Sequence, residues 1–115
     1  AIPLQVSGAF HSHFMTEASQ SFSEELDQLT FSDSQVPVLS NVDPTPTSKG
    51  EILKERLKKQ MTTGVRWRET MNVMENEGIT TVIEIGPGNV LSGLAKRSMK
   101  GVLTSQISNA SDLGY

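Results

Sequence analysis

Apolar residues recur along the chain at two different spacings, and the alternation between these spacings predicts an α/β fold. Runs rich in apolar or β-branched residues predict short strands at residues 4–6, 36–40, 80–85 and 102–103. Apolar residues three or four positions apart predict helices at residues 13–29, 51–61, 67–78 and 90–95. Because strands that alternate with helices favour parallel pairing, we expect a parallel sheet flanked by helices.

Two polar stretches complete this outline. Asn41 to Gly50 is rich in Pro, Thr and Ser, and its composition predicts a loop. Ser105 to Tyr115 is also polar and predicts a frayed C-terminal tail. The predicted organisation is therefore one compact segment at residues 1–104 followed by a tail at residues 105–115.

The helix predicted at residues 51–61 carries many basic residues. Its apolar stripe is expected to contain Ile52, Leu53, Leu57 and Met61, with lysines 54, 58 and 59 facing elsewhere. Residues 54–68 hold six basic residues and one acid, Glu55, which is a local charge of +5. Such a surface could attract an acidic protein partner, although a charged helix face is more often simply solvated.

Composition narrows the class of protein. The net charge of −3 over 115 residues argues against general nucleic-acid binding, and no apolar run reaches the length of a membrane helix. The absence of cysteine excludes disulfides, thiolate catalysis and cysteine-based zinc sites, and we expect a cytoplasmic location. The hydrophobic content of 36% is low, as expected of a segment that obtains part of its core from elsewhere.

His11 is the leading candidate for chemistry. It follows the first predicted strand and precedes the first predicted helix, where it could act as a general base. The sequence contains no Gly-x-Ser-x-Gly elbow and no cysteine to serve as its nucleophile. His13 lies two residues further on, but no third ligand occurs at metal spacing, so we expect no metal site.

Gly86-Pro87-Gly88 stands between a predicted strand and a predicted helix, as phosphate-binding loops do. It lacks both the Gly-x-Gly-x-x-Gly spacing and the Gly-Lys-Ser/Thr ending, so a tight turn is the preferred interpretation. Glu84, two residues earlier, could be an acid, but a carboxylate at the end of a strand is usually solvated or paired.

Four segments together resemble bacterial malonyl-CoA:acyl-carrier-protein transacylases, whose relatives include the acyltransferase domains of polyketide and fatty acid synthases. They are Val6-Ser7-Gly8-Ala9-Phe10-His11-Ser12, Pro37 to Asp43, Gln60 to Trp67, and Glu84-Ile85-Gly86-Pro87-Gly88 with Val90-Leu91. All four occur in the family order. The resemblance implies the C-terminal part of an α/β-hydrolase-like catalytic subdomain, which in the family is interrupted by a small ferredoxin-like subdomain.

The resemblance also implies a mechanism for the intact enzyme in fatty acid biosynthesis. A serine attacks the thioester of malonyl-CoA, and the phosphopantetheine thiol of acyl carrier protein then takes the malonyl group in a ping-pong reaction. His11 matches the family's catalytic histidine, and Gln60 matches the glutamine whose backbone carbonyl orients it. Phe10 precedes the histidine, where a bulky residue accompanies preference for malonyl over methylmalonyl. No bound cofactor or metal is implied; the coenzyme A thioester is a substrate.

The family's nucleophilic serine has no counterpart in this chain. We therefore expect a fragment that is inactive alone and whose partner is the missing N-terminal part of the same enzyme. Two alternatives remain at this point. One is a non-catalytic α/β module that binds an acidic protein partner through residues 54–68. The other is a complete hydrolase that uses another serine, which the missing elbow disfavours.

Overall fold

The chain divides into two compact units, Ala1–Trp67 and Arg68–Tyr115. The computed structural model describes residues 10–114. The strand predicted at residues 4–6 and the first four residues of the segment that ends at Ser12 lie outside the described residues.

The first unit combines two helices with a small antiparallel sheet. Its elements in chain order are a 3₁₀ helix at His13–Met15, α1 at Thr16–Asp27, β1 at Val38–Ser40, β2 at Asp43–Thr47, α2 at Gly50–Lys59 and a 3₁₀ helix at Gln60–Thr62. The helices predicted from the apolar spacing are thus confirmed, although each contains a 3₁₀ turn at one end.

Strand β2 lies in the segment that was expected to be a loop, so that prediction is wrong over Asp43–Thr47. The strand pairs with β1 through Asp43 opposite Ser40 and Thr47 opposite Val38. Its two prolines occupy alternate positions, 44 and 46, outside these pairs. A proline lacks the N–H that a ladder requires, and an edge strand tolerates it where no pairing is needed.

The apolar stripe predicted for helix α2 is confirmed at the half-buried Leu53, Leu57 and Met61 but is wrong at Ile52 and Lys54. Ile52 is 45% exposed, whereas Lys54 and Arg56 are buried. A lysine or arginine can bury its aliphatic stem when its charged head finds a hydrogen-bond acceptor. Lys54 Nζ donates to the carbonyl of Leu29 at 2.7 Å, just beyond the end of α1.

Arg56 connects α2 to β2 in the same way. Its Nη1 donates to the carbonyl of Thr45 at 2.7 Å, and its Nη2 lies 3.4 Å from the Asp43 carboxylate. These contacts explain why a guanidinium is buried in this unit.

The second unit contains the parallel pairing that the sequence predicted. It comprises most of α3 (Trp67–Asn76), then β3 at Thr81–Ile85, α4 at Val90–Ser98, β4 at Leu103–Ile107 and a 3₁₀ helix at Ala110–Leu113. Strands β3 and β4 are parallel and in register from Thr81–Leu103 to Ile85–Ile107, with α4 as the crossover. Ala95 of α4 and Met99, which directly follows this helix, are almost fully buried and contribute to the core of this unit.

One face of this two-stranded sheet is apolar and largely exposed. Ile83, Ile85 and Leu103 share it because strand residues alternate between faces and Ile83 and Ile85 are two positions apart, while Leu103 pairs with Thr81. Ile85 is 80% exposed. An uncovered apolar face agrees with the expectation that part of the core comes from elsewhere.

The tail predicted to fray from residue 105 has secondary structure instead. Ser105 to Ile107 complete β4, so the expected boundary after residue 104 falls inside a strand. The following 3₁₀ helix is held by a capping box in which the side chains of Asn109 and Asp112 accept from each other's backbone N–H groups. Strand pairing and this cap order a polar segment that has little apolar surface to bury.

No helix within residues 10–114 combines the length and the apolar character that crossing a membrane requires.

Candidate active site

His11 has an unusual backbone conformation. Its φ is 66°, which makes it the one non-glycine residue with positive φ between residues 10 and 114. A left-handed conformation costs a side-chain-bearing residue about 1–3 kcal/mol unless the surroundings hold it there. The backbone N–H of His11 donates to the carbonyl of Met61 at 2.8 Å, and its ring Nδ1 lies 2.8 Å from the carbonyl of Gln60. Two successive carbonyls therefore fix both the main chain and the ring of one residue.

These carbonyls are available because a helix ends there. Helix α2 stops at Lys59 and continues as one 3₁₀ turn, Gln60–Thr62. The last carbonyls of a helix lack intrahelical partners and carry the negative end of the helix dipole. A carbonyl oxygen only accepts hydrogen bonds, so Nδ1 of His11 is the donor in this contact, and in the neutral imidazole Nε2 then has the free lone pair. This is the tautomer that a general base requires.

The three residues singled out from the sequence line one cleft. The cleft has a volume of about 380 Å³ and is lined mainly by apolar groups, from Phe10, His11, Phe22, Leu57, Gln60 and Met61. Phe10 is 62% exposed at its rim. The structure thus brings Phe10, His11 and Gln60 together across 49 residues of sequence, at the junction of α1 and the end of α2.

His13 is not part of this arrangement. Its side chain is exposed, and its ring stacks on that of Phe14 with 4.2 Å between centroids. Among the described residues, no group of three or more histidine, aspartate or glutamate side chains could hold a metal ion. The His-x-His spacing does not form part of a metal-binding cluster in this region.

Glu84 has a structural task at the start of α4. Its Oε1 accepts from the backbone N–H of Ser92 at 2.9 Å and from the Ser92 hydroxyl at 2.8 Å, and its Oε2 accepts from the N–H of Leu91 at 3.3 Å. The Ser92 backbone hydrogen bond, followed by that of the Ser92 hydroxyl, holds the pKa of Glu84 below its ordinary value. Positive φ at Gly86 and Gly88 lets the chain turn tightly between the carboxylate and the helix that it caps.

The basic stretch of α2 is largely engaged within the first unit. Lys54 and Arg56 are buried on main-chain carbonyls, and Lys58 forms ion pairs with Asp27 and Glu55. These cations fasten α2 to its neighbours, which removes much of the basis for a docking face on this helix. Apart from Glu55, which lies three residues before Lys58 on the same helix, the groups that receive them belong to other segments, so the spacing of the lysines gave no sign of them.

Met61 and Ser19 are two further contributors that the sequence did not indicate. Met61 supplies its carbonyl to the N–H of His11, and the buried Ser19 of α1 donates its hydroxyl to the carbonyl of Lys58 at 3.1 Å. A main-chain carbonyl leaves no mark in the sequence. Position relative to the predicted end of α2 is the one signal that could have drawn attention to Met61.

A histidine held by Nδ1 on an α/β chain, with Nε2 outside that contact, is an arrangement found in enzymes that transfer acyl groups through a nucleophile. No protein-family model matches the chain. Individual proteins, in contrast, do match the chain. The malonyl CoA-acyl carrier protein transacylase of Synechocystis is 53% identical over 113 residues, which is 98% of this chain and 39% of the relative. The protein of the same name from Bacillus subtilis strain 168 is 44% identical over 95% of the chain and 34% of its own length.

Solved structures agree with these relatives. The crystal structure of the Synechocystis malonyl-CoA:ACP transacylase superimposes with a TM-score of 0.88 at 52% identity, covering 98% of this chain and 39% of that one. A malonyl-transacylase solved in complex with a type II PKS acyl-carrier protein gives 0.82 at 32% identity, over 97% and 36%.

The chain is therefore homologous to a part of malonyl CoA-acyl carrier protein transacylases, as its motifs predicted, and it has the α/β fold of that part. It spans somewhat over a third of the length of these relatives.

Proposed function

We propose that this chain is the C-terminal part of a malonyl-CoA:acyl carrier protein transacylase of fatty acid biosynthesis and that His11 is its general base. The observation that carries the proposal is the 2.8 Å contact between His11 Nδ1 and the Gln60 carbonyl, on a chain with homology to these transacylases. The contact sets the tautomer in which Nε2 can take a proton.

In the first half-reaction, Nε2 takes the proton of a serine hydroxyl while the serine oxygen attacks the thioester carbonyl of malonyl-CoA. The carbon–sulfur bond breaks, and the leaving coenzyme A sulfur takes the proton back from the imidazolium. In the second half, Nε2 takes the proton of the phosphopantetheine thiol of acyl carrier protein. That sulfur attacks the malonyl-serine ester, and the serine oxygen leaves with the proton.

The neutral carbonyl of Gln60 occupies the place of the carboxylate in a Ser-His-Asp triad. A carbonyl stabilises an imidazolium less than a carboxylate does, although the negative end of the α2 dipole contributes in the same direction. A weaker stabilisation suits the first half-reaction, because its leaving group is a thiolate, which leaves more readily than an alkoxide or an amine. Neither half-reaction requires a metal or a bound cofactor.

The nucleophile is absent from the 115 residues because no serine stands in a Gly-x-Ser-x-Gly elbow. We therefore assign the serine to the N-terminal part of the enzyme, a cytoplasmic protein, and expect this chain to be inactive alone. Its exposed face of Ile83, Ile85 and Leu103 is a surface that the remainder of the enzyme would cover.

The test is malonyl transfer from malonyl-CoA to holo-acyl carrier protein by the complete enzyme. His11→Asn is the informative variant, because asparagine tolerates the left-handed backbone and keeps an N–H near the Gln60 carbonyl but cannot act as the base. We expect turnover to fall by about 10²–10⁴-fold. His11→Ala should lose as much.

His13→Asn is the matched control, since His13 is exposed and its ring makes no hydrogen bond with any of residues 10–114. Its turnover should stay within about twofold of the parent enzyme. Near-normal transfer by His11→Asn would refute the assignment of His11 as the base. Transfer by the 115-residue chain alone would refute the assignment of the nucleophilic serine to the N-terminal part of the enzyme.

A further inference from the structure

Helices α1 and α2 are joined by side chains at both ends of α1. Near its start, the Ser19 hydroxyl donates to the carbonyl of Lys58 at 3.1 Å. At its end, the ammonium of Lys58 pairs with the carboxylate of Asp27. Just beyond the end, the ammonium of Lys54 donates to the carbonyl of Leu29. Lys58 takes part in two of these three contacts.

Lys58 therefore contacts α1 at two separate points. Its carbonyl holds Ser19 and its ammonium holds Asp27, eight residues or about 12 Å further along the helix axis. A single contact would leave α1 free to rotate about that point, whereas two contacts fix both the position and the direction of α1 relative to α2. The side chain of Lys58 is 18% exposed, whereas that of Asp27 is 60% exposed, so water still reaches the carboxylate of this pair.

These two contacts of Lys58 lie close in the chain to the main-chain carbonyls that accept hydrogen bonds from His11. Gln60 and Met61 follow Lys58 in the chain, and His11 precedes Ser19 on the other segment. Donors on residues 11–19 thus meet carbonyls on residues 58–61 at three places, by the Ser19 hydroxyl, the His11 ring and the His11 N–H. A shift of α1 along α2 would move the imidazole relative to the Gln60 carbonyl.

We propose that Lys58 is a positioning residue for His11, acting with Ser19 to hold the first turn of α1 in register with the carbonyls at the end of α2. The proposal rests on the function proposed above, because it concerns the same base. Lys58 itself is assigned no contact with substrate. The basic residue that looked like part of a docking surface instead keeps the catalytic hydrogen bond aligned.

The ionisation of the pair agrees with this role. Hydrogen bonding from Lys58 keeps the pKa of Asp27 below its ordinary value, and the Asp27 carboxylate, together with Glu55, raises the pKa of Lys58. Both groups are therefore charged throughout the neutral range, as the ion pair requires.

The first experiment separates catalysis from binding in the complete enzyme. Lys58→Met keeps the aliphatic stem and removes the charge, and we expect kcat to fall by about 5- to 20-fold because sub-ångström misplacement of a base is costly. KM for malonyl-CoA should stay within about twofold, since no substrate contact is lost. Lys58→Arg should recover most of kcat. Lys59→Met is the matched control, an exposed neighbour that should behave as the parent.

The second experiment does not depend on turnover. In enzyme labelled with ¹⁵N-histidine, the Nδ1–H proton of His11 should give a resonance protected from exchange by its bond to Gln60, identified by its loss in His11→Asn. We expect exchange with water to be about tenfold faster in Lys58→Met and in Ser19→Ala but unchanged in Lys59→Met and in Ser21→Ala. Ser21 is an exposed serine of the same helix.

The two readouts distinguish the proposals from each other. If His11→Asn abolishes transfer while Lys58→Met and Ser19→Ala leave kcat and proton exchange unchanged, the base assignment stands and the positioning role is refuted. If the parent enzyme transfers no malonyl group but exchange still responds to Lys58→Met, the proposed function fails and the positioning of His11 stands.

Discussion

The imidazole of His11 and the main-chain carbonyl of Gln60 lie 2.8 Å apart although the two residues are 49 positions apart in the chain. The contact joins the segment before α1 to the end of α2. It depends on a positive φ at His11 and on a carbonyl that helix α2 leaves without a partner. The acceptor is a main-chain atom, so the identity of residue 60 matters chiefly through the backbone conformation that it favours.

Substitutions at Gln60 can therefore test whether its main-chain conformation or its side chain orients His11. Its φ of −62° and ψ of −38° are helical. Alanine favours this conformation, whereas glycine loosens it at a cost of about 0.5–1 kcal/mol. We expect Gln60→Gly to lower kcat for malonyl transfer clearly more than Gln60→Ala does in the complete enzyme. Equal losses in the two variants would show that the amide side chain, and not the backbone, orients His11.

Much of the fold could be predicted from the sequence because local patterns determine it. The helices α1, α2 and α4 and the strand β3 follow from apolar spacing and from β-branched runs. Strand β2 was missed because its composition, Asp-Pro-Thr-Pro-Thr, is that of a loop, and its pairing depends on β1. Pairing with a distant segment also orders β4 beyond the predicted end of the fold.

In the candidate site, too, the sequence indicated some residues, whereas the contacts of others depend on the fold. The position of His11 between a predicted strand and a predicted helix singled it out, Gln60 and Phe10 were indicated by their resemblance to family motifs, and the structure brings the three into one cleft. The burial of Lys54 and Arg56 could not be predicted, because their acceptors are the carbonyls of Leu29 and Thr45. Carbonyls occur at every residue, so only the fold decides which of them meets a cation.

Gly50, the first residue of α2, allows no side chain. A Cβ atom added there would lie 2.2 Å from the carbonyl oxygen of Phe31 and 2.6 Å from that of Ser32. Both are main-chain atoms that cannot rotate away, so Gly50→Ala must displace the backbone of residues 31–32 or of α2. We expect the free energy of unfolding to fall by about 1–3 kcal/mol or more, measured by urea denaturation.

Gly64→Ala is the matched control for this substitution. No atom lies within 4 Å of a Cβ placed at Gly64, and we expect its effect to stay within about 0.5 kcal/mol. Equal stability of the two variants would contradict the close approach of α2 to residues 31–32.

The hydrogen bonds of the Glu84 carboxylate predict how the stability of the protein depends on pH. Hydrogen bonds, first from the backbone N–H of Ser92, lower the folded-state pKa of Glu84 below its ordinary value of 4.5. A depressed pKa means that the stabilisation is complete above the unfolded-state value and is lost as the pH falls through the folded-state value. We therefore expect Glu84→Gln to be less stable than the parent at pH 7, with the difference shrinking below about pH 4.5.

Urea denaturation at several pH values between 7 and 3 would measure this difference. Glu77→Gln is the control, because Glu77 is exposed and its side chain has no hydrogen-bond partner among the described residues. Its stability should follow the parent at every pH. A stability difference for Glu84→Gln that is the same at pH 7 and pH 3 would show that the charge of the cap is unimportant.

Phe10 bears on the choice between malonyl and methylmalonyl groups. It precedes the proposed base, lines the same cleft as His11 and Gln60, and is 62% exposed in this chain. A phenyl ring beside the reacting acyl group would crowd an additional methyl group, and discrimination of one methyl group is worth about 1–3 kcal/mol. Phe10→Ser should therefore lower the malonyl-to-methylmalonyl ratio of kcat/KM by about 5- to 150-fold in the complete enzyme.

Phe14 provides the control for this change because it is a phenylalanine of the neighbouring 3₁₀ turn, 76% exposed and outside the residues that line the cleft. Phe14→Ser should leave the ratio unaltered, so a change confined to Phe10→Ser would reflect the cleft and not the loss of any exposed aromatic ring. An unchanged ratio in Phe10→Ser, with turnover of malonyl-CoA preserved, would mean that the methyl group of the substrate does not approach this ring.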